Sequence, residues 1–179
     1  MTHSSPSGAR LAIFDLFDTI IIKRRSDYES NPNPDSLIRP EDGDWFIRPG
    51  FDPMLTYLRN SDIKFAISSD AYEERIAWIL HNAGYPIEKL DNVLGSLFVG
   101  IYGKDNRFYV DGVRFYKNLG TVISNAGVDK KNSVLIGDDD NELDSASASF
   151  YGIRFQRIPN GREDPRFNLM RLIEMDYLF

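Results

Sequence analysis

The sequence predicts an α/β fold in which a central, mostly parallel sheet is covered by helices on both faces. Three observations carry this expectation. Apolar runs at residues 11–14, 64–67 and 133–136 each stop at a polar position, Asp15, Ser68 or Gly137-Asp138, as strands buried on both faces do. The stretches between them repeat apolar residues at i, i+3, i+4 and i+7, the stripe of a helix packed on one side. Strands and helices therefore alternate, which implies parallel strands joined by right-handed crossovers.

Composition narrows the class further. A chain of 179 residues with a 42% hydrophobic share suits one packed core, so a single domain over residues 11–179 is expected behind a small, polar, flexible tail over 1–10. A net charge of −6 and a pI near 4.9 argue against general nucleic-acid binding, which needs a basic face to displace counterions from phosphates. There is no cysteine, so disulfides, thiolate metal sites and cysteine nucleophiles are excluded; a metal must be held by oxygen or by one of two histidines. The tail lacks the apolar core of a signal peptide and no run approaches a bilayer span, so a cytoplasmic protein with no membrane partner is expected.

Each element has its own signature. Residues 24–45 are rich in Pro, Asn, Asp and Ser and almost free of apolar periodicity, predicting a long surface loop. Phe51, Met54, Leu55 and Leu58 predict a helix, residues 64–67 a strand, and Ile76, Ile79, Leu80 and Ala83 a second helix stopped by Gly84. Residues 97–102 and 107–110 flank a Gly-Lys-Asp-Asn turn and predict a hairpin or small flap. Phe115, Leu119, Val122, Ile123 and Ala126 predict a helix ending at Gly127. After the strand at 133–136 come a short helix near 141–149, a strand at 153–156, and a helical tail carrying Phe167, Met170, Leu172, Ile173 and Leu178.

Folds of this type bind ligands at the carboxyl ends of their strands. Those ends carry Asp15, Ser68 and Asp138 here. Singly, an Asp after a strand is more often a cap or turn residue than a catalyst. Their conjunction with a lysine and an acidic cluster is more specific. The run Ile13-Phe14-Asp15-Leu16-Phe17-Asp18-Thr19-Ile20, the strand end Phe65-Ala66-Ile67-Ser68, Lys117 near a helix, and Gly137-Asp138-Asp139-Asp140-Asn141-Glu142 follow one another in order. In this they resemble the four motifs of the haloacid-dehalogenase (HAD) superfamily, whose core is a Rossmann-like three-layer sandwich.

The resemblance implies a phosphoric monoester hydrolase that forms an aspartyl-phosphate on Asp15. It assigns Mg²⁺ to Asp15, the Phe17 backbone carbonyl and Asp138, with Asp139 or Glu142 contributing, and phosphate binding to Ser68, Ser69 and Lys117. The chemistry is coherent on physical grounds: two anions repel, so a carboxylate attacking a phosphate needs a hard cation with oxygen ligands and an ammonium beside it. Lys104, Lys130 and Lys131 compete with Lys117 for the latter role. As a calcium loop the acidic run fails, with Leu143 in place of the glycine and Ser149 in place of the final Glu. Carboxylates at a helix N-terminus are also favoured by the dipole alone.

One position departs from the superfamily pattern. Phe17 stands where its phosphatases carry a second Asp that moves the leaving-group proton, so Asp18 becomes a candidate acid/base. Two alternatives follow: a metal-independent dehalogenase, whose relatives also carry an aromatic residue there, and a weakly active or inactive binding or regulatory protein. The spacing between Asp15, Ser68 and Lys117 leaves no room for a large cap, so the resemblance admits a phosphorylated substrate that is either small or macromolecular.

Overall fold

Strand β1 (Arg10–Phe14) is the spine of a five-stranded sheet in which every pairing is parallel. The computed structural model describes residues 8–23, 45–109 and 115–179. On one side β1 pairs with β4 (Ile63–Ser68), and β5 (Phe98–Tyr102) lies beyond it. On the other it pairs with β8 (Ser133–Gly137), with β9 (Arg154–Arg157) at the far edge. Both faces of β1 are buried: Ala12 and Phe14 join one core layer, Leu11 and Ile13 the other. That explains why the run is uniformly apolar rather than alternating.

Helices cover both faces, giving the expected three layers. On the Phe14 side lie α1 (Phe51–Asn60), α2 (Glu73–Asn82) and α3 (Ile87–Leu94). Phe51, Met54, Leu55 and Leu58 of α1 are buried, as their spacing predicts. Gly50 precedes this helix with φ 85°, and a Cβ there would meet the Asn168 side chain at 1.9 Å and the Leu169 backbone nitrogen at 2.9 Å. On the opposite face lie α4 (Leu119–Ala126) and α5 (Leu143–Tyr151). Asn118 caps α4 by accepting from the Thr121 amide, and Gly127 ends it in the left-handed region.

Several boundaries differ from expectation. Residues 98–102 form a half-buried parallel strand at one edge of the main sheet, and the small antiparallel hairpin pairs β6 (Arg107–Tyr109) with β7 (Phe115–Lys117) instead. The fourth helix consequently begins at Leu119 and leaves Phe115 in β7. Helix α3 follows the Gly84 and Pro86 breakers and buries only Leu90 and Leu94, too few positions to show a period. The tail contains just one helical turn, α6 (Arg171–Glu174). Its remainder is held irregularly, for example by the Leu169 amide donating to Pro49 O at 2.9 Å. A second antiparallel pair, β2 (Ile21–Lys23) with β3 (Trp45–Ile47), brackets the predicted loop, of which residues 24–44 lie outside the described residues, as do residues 1–7 of the predicted tail. Among the described residues no helix is long and apolar enough to cross a membrane.

Candidate active site

Parallel register carries the site residues to one edge. Phe14 is level with Ile67 on one neighbour and Ile136 on the other, so Asp15, Ser68 and the residues after Ile136 emerge together. The Asp15 amide still donates to Ile136 O at 2.8 Å, which extends the ladder through the residue that leaves the sheet. The chain then turns sharply, with Leu16 O accepting from the amides of Ile20 (2.9 Å) and Ile21 (3.0 Å). Asp18 in this turn, and Asp139 and Glu142 in the acidic loop, have positive φ near 55–59°. Aspartate tolerates this region better than most residues, and left-handed residues gather at functional loops.

Lys117 ends β7 and is 3% exposed. Its Nζ donates to Asp15 Oδ1 at 2.6 Å and to Ser68 O at 2.9 Å, and lies 2.5 Å from Asp144 Oδ1. Its amide donates to Ser147 Oγ at 3.0 Å, tying the strand to α5. Among the candidate lysines this one alone reaches the site: Lys104 lies over the Tyr72 ring, and Lys130 and Lys131 are exposed. Carboxylate oxygens of Asp15, Asp138 and Asp144, all buried, lie within 4.8 Å of one another. Ser68 and Ser69 are buried beside them; Ser69 Oγ accepts from the Ala71 amide at 3.3 Å and shapes the turn into α2.

In the acidic loop, Asp139 and Glu142 lie outside the buried carboxylate cluster of Asp15, Asp138 and Asp144. Asp139 Oδ1 accepts from the Ser145 amide at 2.9 Å and so caps α5, while Glu142 is exposed at the start of that helix. Asp144 takes the inward position, because α5 begins at Leu143 rather than near 141 and turns Asp144 onto the stripe that also buries Ser147 and Ala148. That i, i+3, i+4 pattern was present in the sequence and is the signal that would have found it. Gly137 makes the space: a Cβ there would meet Asp144 Oδ2 at 2.0 Å.

Phe17 is half-buried, with its ring edge-on to Trp45 at 5.0 Å and the Arg75 guanidinium 5.4 Å from its centroid. Neither Trp45 nor Arg75 was singled out in the sequence, since an aromatic after a loop and an Arg in a helix carry no signal of their own. Of the aromatics near the flap, Tyr102 is buried and its hydroxyl accepts from Asn125 Nδ2 at 3.1 Å, a packing role.

The electrostatics follow from burying three acids around one base. Burial pushes the Asp15 carboxyl well above its ordinary value; Lys117 pulls it back, and Asp144 and Asp138 add to the rise. Asp138 is pushed up to about 7, first by burial and then by Asp18, Asp144 and Asp140. Burial likewise raises Asp144, against the pull of Lys117. For Lys117 burial acts downward, but Asp144 and Asp15 outweigh it and hold the ammonium charged. A cluster with more carboxylate than ammonium charge has an energetic reason to take up a cation.

The fold and site thus define an α/β protein in which the carboxyl at the end of β1 meets a buried acid–lysine cluster. The architecture is that of the HAD-like hydrolases. A HAD-like family hydrolase from Streptococcus pneumoniae matches with a TM-score of 0.59 and 14% identity, over 96% of this chain and 99% of that one. A HAD-superfamily hydrolase from Ehrlichia chaffeensis matches at 0.55 and 17%, over 90% and 96%. CbbY from Rhodobacter sphaeroides, in complex with xylulose-1,5-bisphosphate, matches at 0.58 and 12%, over 90% and 91%. No family model and no curated protein matches the sequence.

Proposed function

We propose that the chain is a Mg²⁺-dependent hydrolase of phosphoric monoesters that works through an aspartyl-phosphate on Asp15. The observation that carries this reading is the single buried ammonium of Lys117 shared by Asp15, Asp144 and the Ser68 carbonyl. It fixes one Asp15 oxygen and leaves the other for attack. The donor set fits a hard cation: Asp15 and Asp138 are buried carboxylates in reach of one another, and the Phe17 carbonyl lies two residues past Asp15. Asp144, already committed to Lys117, is read as the residue that orients the lysine. When bound, Mg²⁺ supplies charge neutralisation between the carboxylate and the phosphate.

The chain's own residues then perform two displacements. An Asp15 oxygen attacks phosphorus, the ester P–O bond breaks and the alcohol departs, taking its proton from solvent or a nearby acid. Water next attacks phosphorus, the bond to Asp15 breaks, and inorganic phosphate leaves. Lys117 holds negative charge on the transferred group through both steps, and the Ser68 and Ser69 hydroxyls orient its oxygens. Phe17 cannot carry a proton. Asp18, close enough to Asp138 to be the leading charge that raises it, is the nearby group for that role.

The short spacing between Asp15, Ser68 and Lys117 leaves little room for a large cap and supports a site that admits a small or macromolecular phosphorylated substrate. CbbY, which shares the fold, was solved with xylulose-1,5-bisphosphate, and this is consistent with a phosphate ester as the ligand class. Phe17 favours a second reading, a slow or silent phosphate-binding protein, because a ring packed against Trp45 and Arg75 stands where a proton-transferring carboxyl would be. Release of phosphate from p-nitrophenyl phosphate tests both, since its leaving group needs little protonation. Mg²⁺-dependent release that vanishes in Asp15→Asn supports the hydrolase; no release above that control removes it and leaves the binding protein or a metal-independent dehalogenase.

A further inference from the structure

The largest of the fully buried side chains among the described residues is charged. Arg48, 1% exposed, sits between β3 and α1, outside the cluster just described. Its guanidinium donates to four backbone carbonyls. Nε reaches Thr19 O at 2.9 Å and Nη2 reaches Asp18 O, both in the loop that follows the nucleophile. Nη1 reaches Asp164 O at 3.1 Å and Nη2 also reaches Pro159 O at 3.1 Å, both in the irregular segment after β9. The Phe167 ring lies 5.8 Å beneath it, and the Arg48 amide donates to Ile20 O at 2.8 Å.

That second segment is joined to the acidic loop. Asn160, buried and next to Pro159, donates from Nδ2 to Asp140 Oδ1 at 3.0 Å, and the Ile158 amide donates to Gly137 O at 2.9 Å. The loop after Asp15 and the loop after Asp138 are therefore both referred to one guanidinium. Fixing the carbonyls of Asp18 and Thr19 fixes consecutive peptide planes, and with them the approach of the Phe17 carbonyl and the direction of the Asp18 side chain. Loop carbonyls outside any sheet or helix are orphan acceptors, and a planar fork of five donors satisfies several at once where an ammonium cannot span them.

We infer that Arg48 is a positioning residue for the Asp15 centre: by gripping the carbonyls of Asp18 and Thr19 together with those of Pro159 and Asp164, it sets the separation of the two loops that bear the metal-binding carboxylates. This rests on the reading that Asp15 and Asp138 hold a divalent cation. A purely structural arginine would stabilise the fold without setting cation affinity, so the two roles separate in a binding measurement.

The test is calorimetric titration of Mg²⁺ into the wild-type protein, Arg48→Lys, Arg48→Met and Leu58→Ala, all well below their unfolding temperatures. Leu58→Ala opens a cavity in α1 and supplies a destabilised comparison. The expected result is Mg²⁺ binding weakened roughly 10- to 100-fold in Arg48→Met, partly recovered in Arg48→Lys, and unchanged in Leu58→Ala. Wild-type affinity in both Arg48 variants overturns the inference, as does equal weakening in Leu58→Ala. Absence of Mg²⁺ binding by the wild type overturns the metal reading beneath it. If Arg48→Met does not fold, the comparison of Arg48→Lys with Leu58→Ala decides the matter.

Discussion

Lys117 Nζ lies 2.6 Å from Asp15 Oδ1, although 102 residues separate them in the chain. The contact is buried on both sides, and the ammonium is shared with Asp144 on α5. The carboxyl after β1, the lysine of β7 and the acid of α5 thus come from three separate elements.

Asp15→Asn should abolish phosphate release while the protein stays folded. The amide is nearly isosteric and removes one of three buried carboxylates that burial already penalises, and Lys117 keeps Asp144 as its partner. Turnover of p-nitrophenyl phosphate is expected to fall by at least about a thousandfold, with circular dichroism unchanged. Residual metal-dependent turnover near the wild-type level would place the nucleophile elsewhere.

Asp144→Asn and Glu142→Gln should behave oppositely. The first removes an acid 2.5 Å from the Lys117 ammonium and should lower kcat by about 10²- to 10³-fold. The second alters an exposed carboxylate and should leave kcat and Mg²⁺ dependence within about twofold. A reversed pattern would restore Glu142 as the functional acid of the loop.

Lys117→Met should destabilise the metal-free protein as well as silence it. Removing the cation leaves Asp15 and Asp144 buried against each other, a change that costs about 3–5 kcal/mol when a buried pair is broken. Urea unfolding with and without Mg²⁺ measures this, and part of the loss should return with the cation. An unchanged midpoint would show that the ion pair contributes nothing to folding.

Stability should depend on pH in a direction set by Asp138. Its folded pKa of about 7 lies above the ordinary 3.8, so the native state binds the proton more tightly than the unfolded chain. Its contribution is fully present below about pH 4 and is lost as pH rises through 7; Asp15 and Asp144, also raised, act in the same direction. Mg²⁺ must displace that proton, so its apparent affinity should weaken about tenfold per pH unit below 7. Thermal midpoints with and without Mg²⁺ at pH 5.5 and 8 check this: a large gain at pH 8 and a small one at 5.5 are expected, and equal gains would refute it.

Much of the scaffold was legible in the sequence because it is written locally. The strands are marked by the apolar runs 11–14, 65–67 and 134–136, and α1 buries the four residues its period marks. The small hairpin is present, but 98–102 does not belong to it: that stretch is short and contains Gly100, so its pairing with β4 rather than with 107–109 depends on which neighbour the sheet offers. The apolar residues of the tail predict a helix but pack one by one, Leu172 and Leu178 being buried without a long helix between them.

By itself the sequence determined the α/β pattern, the polar residues at the strand ends, the candidacy of Asp15, Ser68, Lys117 and Asp138, and the aromatic at position 17. Those follow from nearest-neighbour chemistry: period, breakers and the residue that ends each strand. Only the tertiary structure decided that Asp144 rather than Glu142 turns inward, that Trp45 and Arg75 clamp Phe17, and that Arg48 joins the loops after Asp15 and Asp138. Each of these depends on a one-residue shift in a helix start or on groups far apart in the chain, where burial and hydrogen-bond satisfaction choose the partner and sequence spacing carries no record of it.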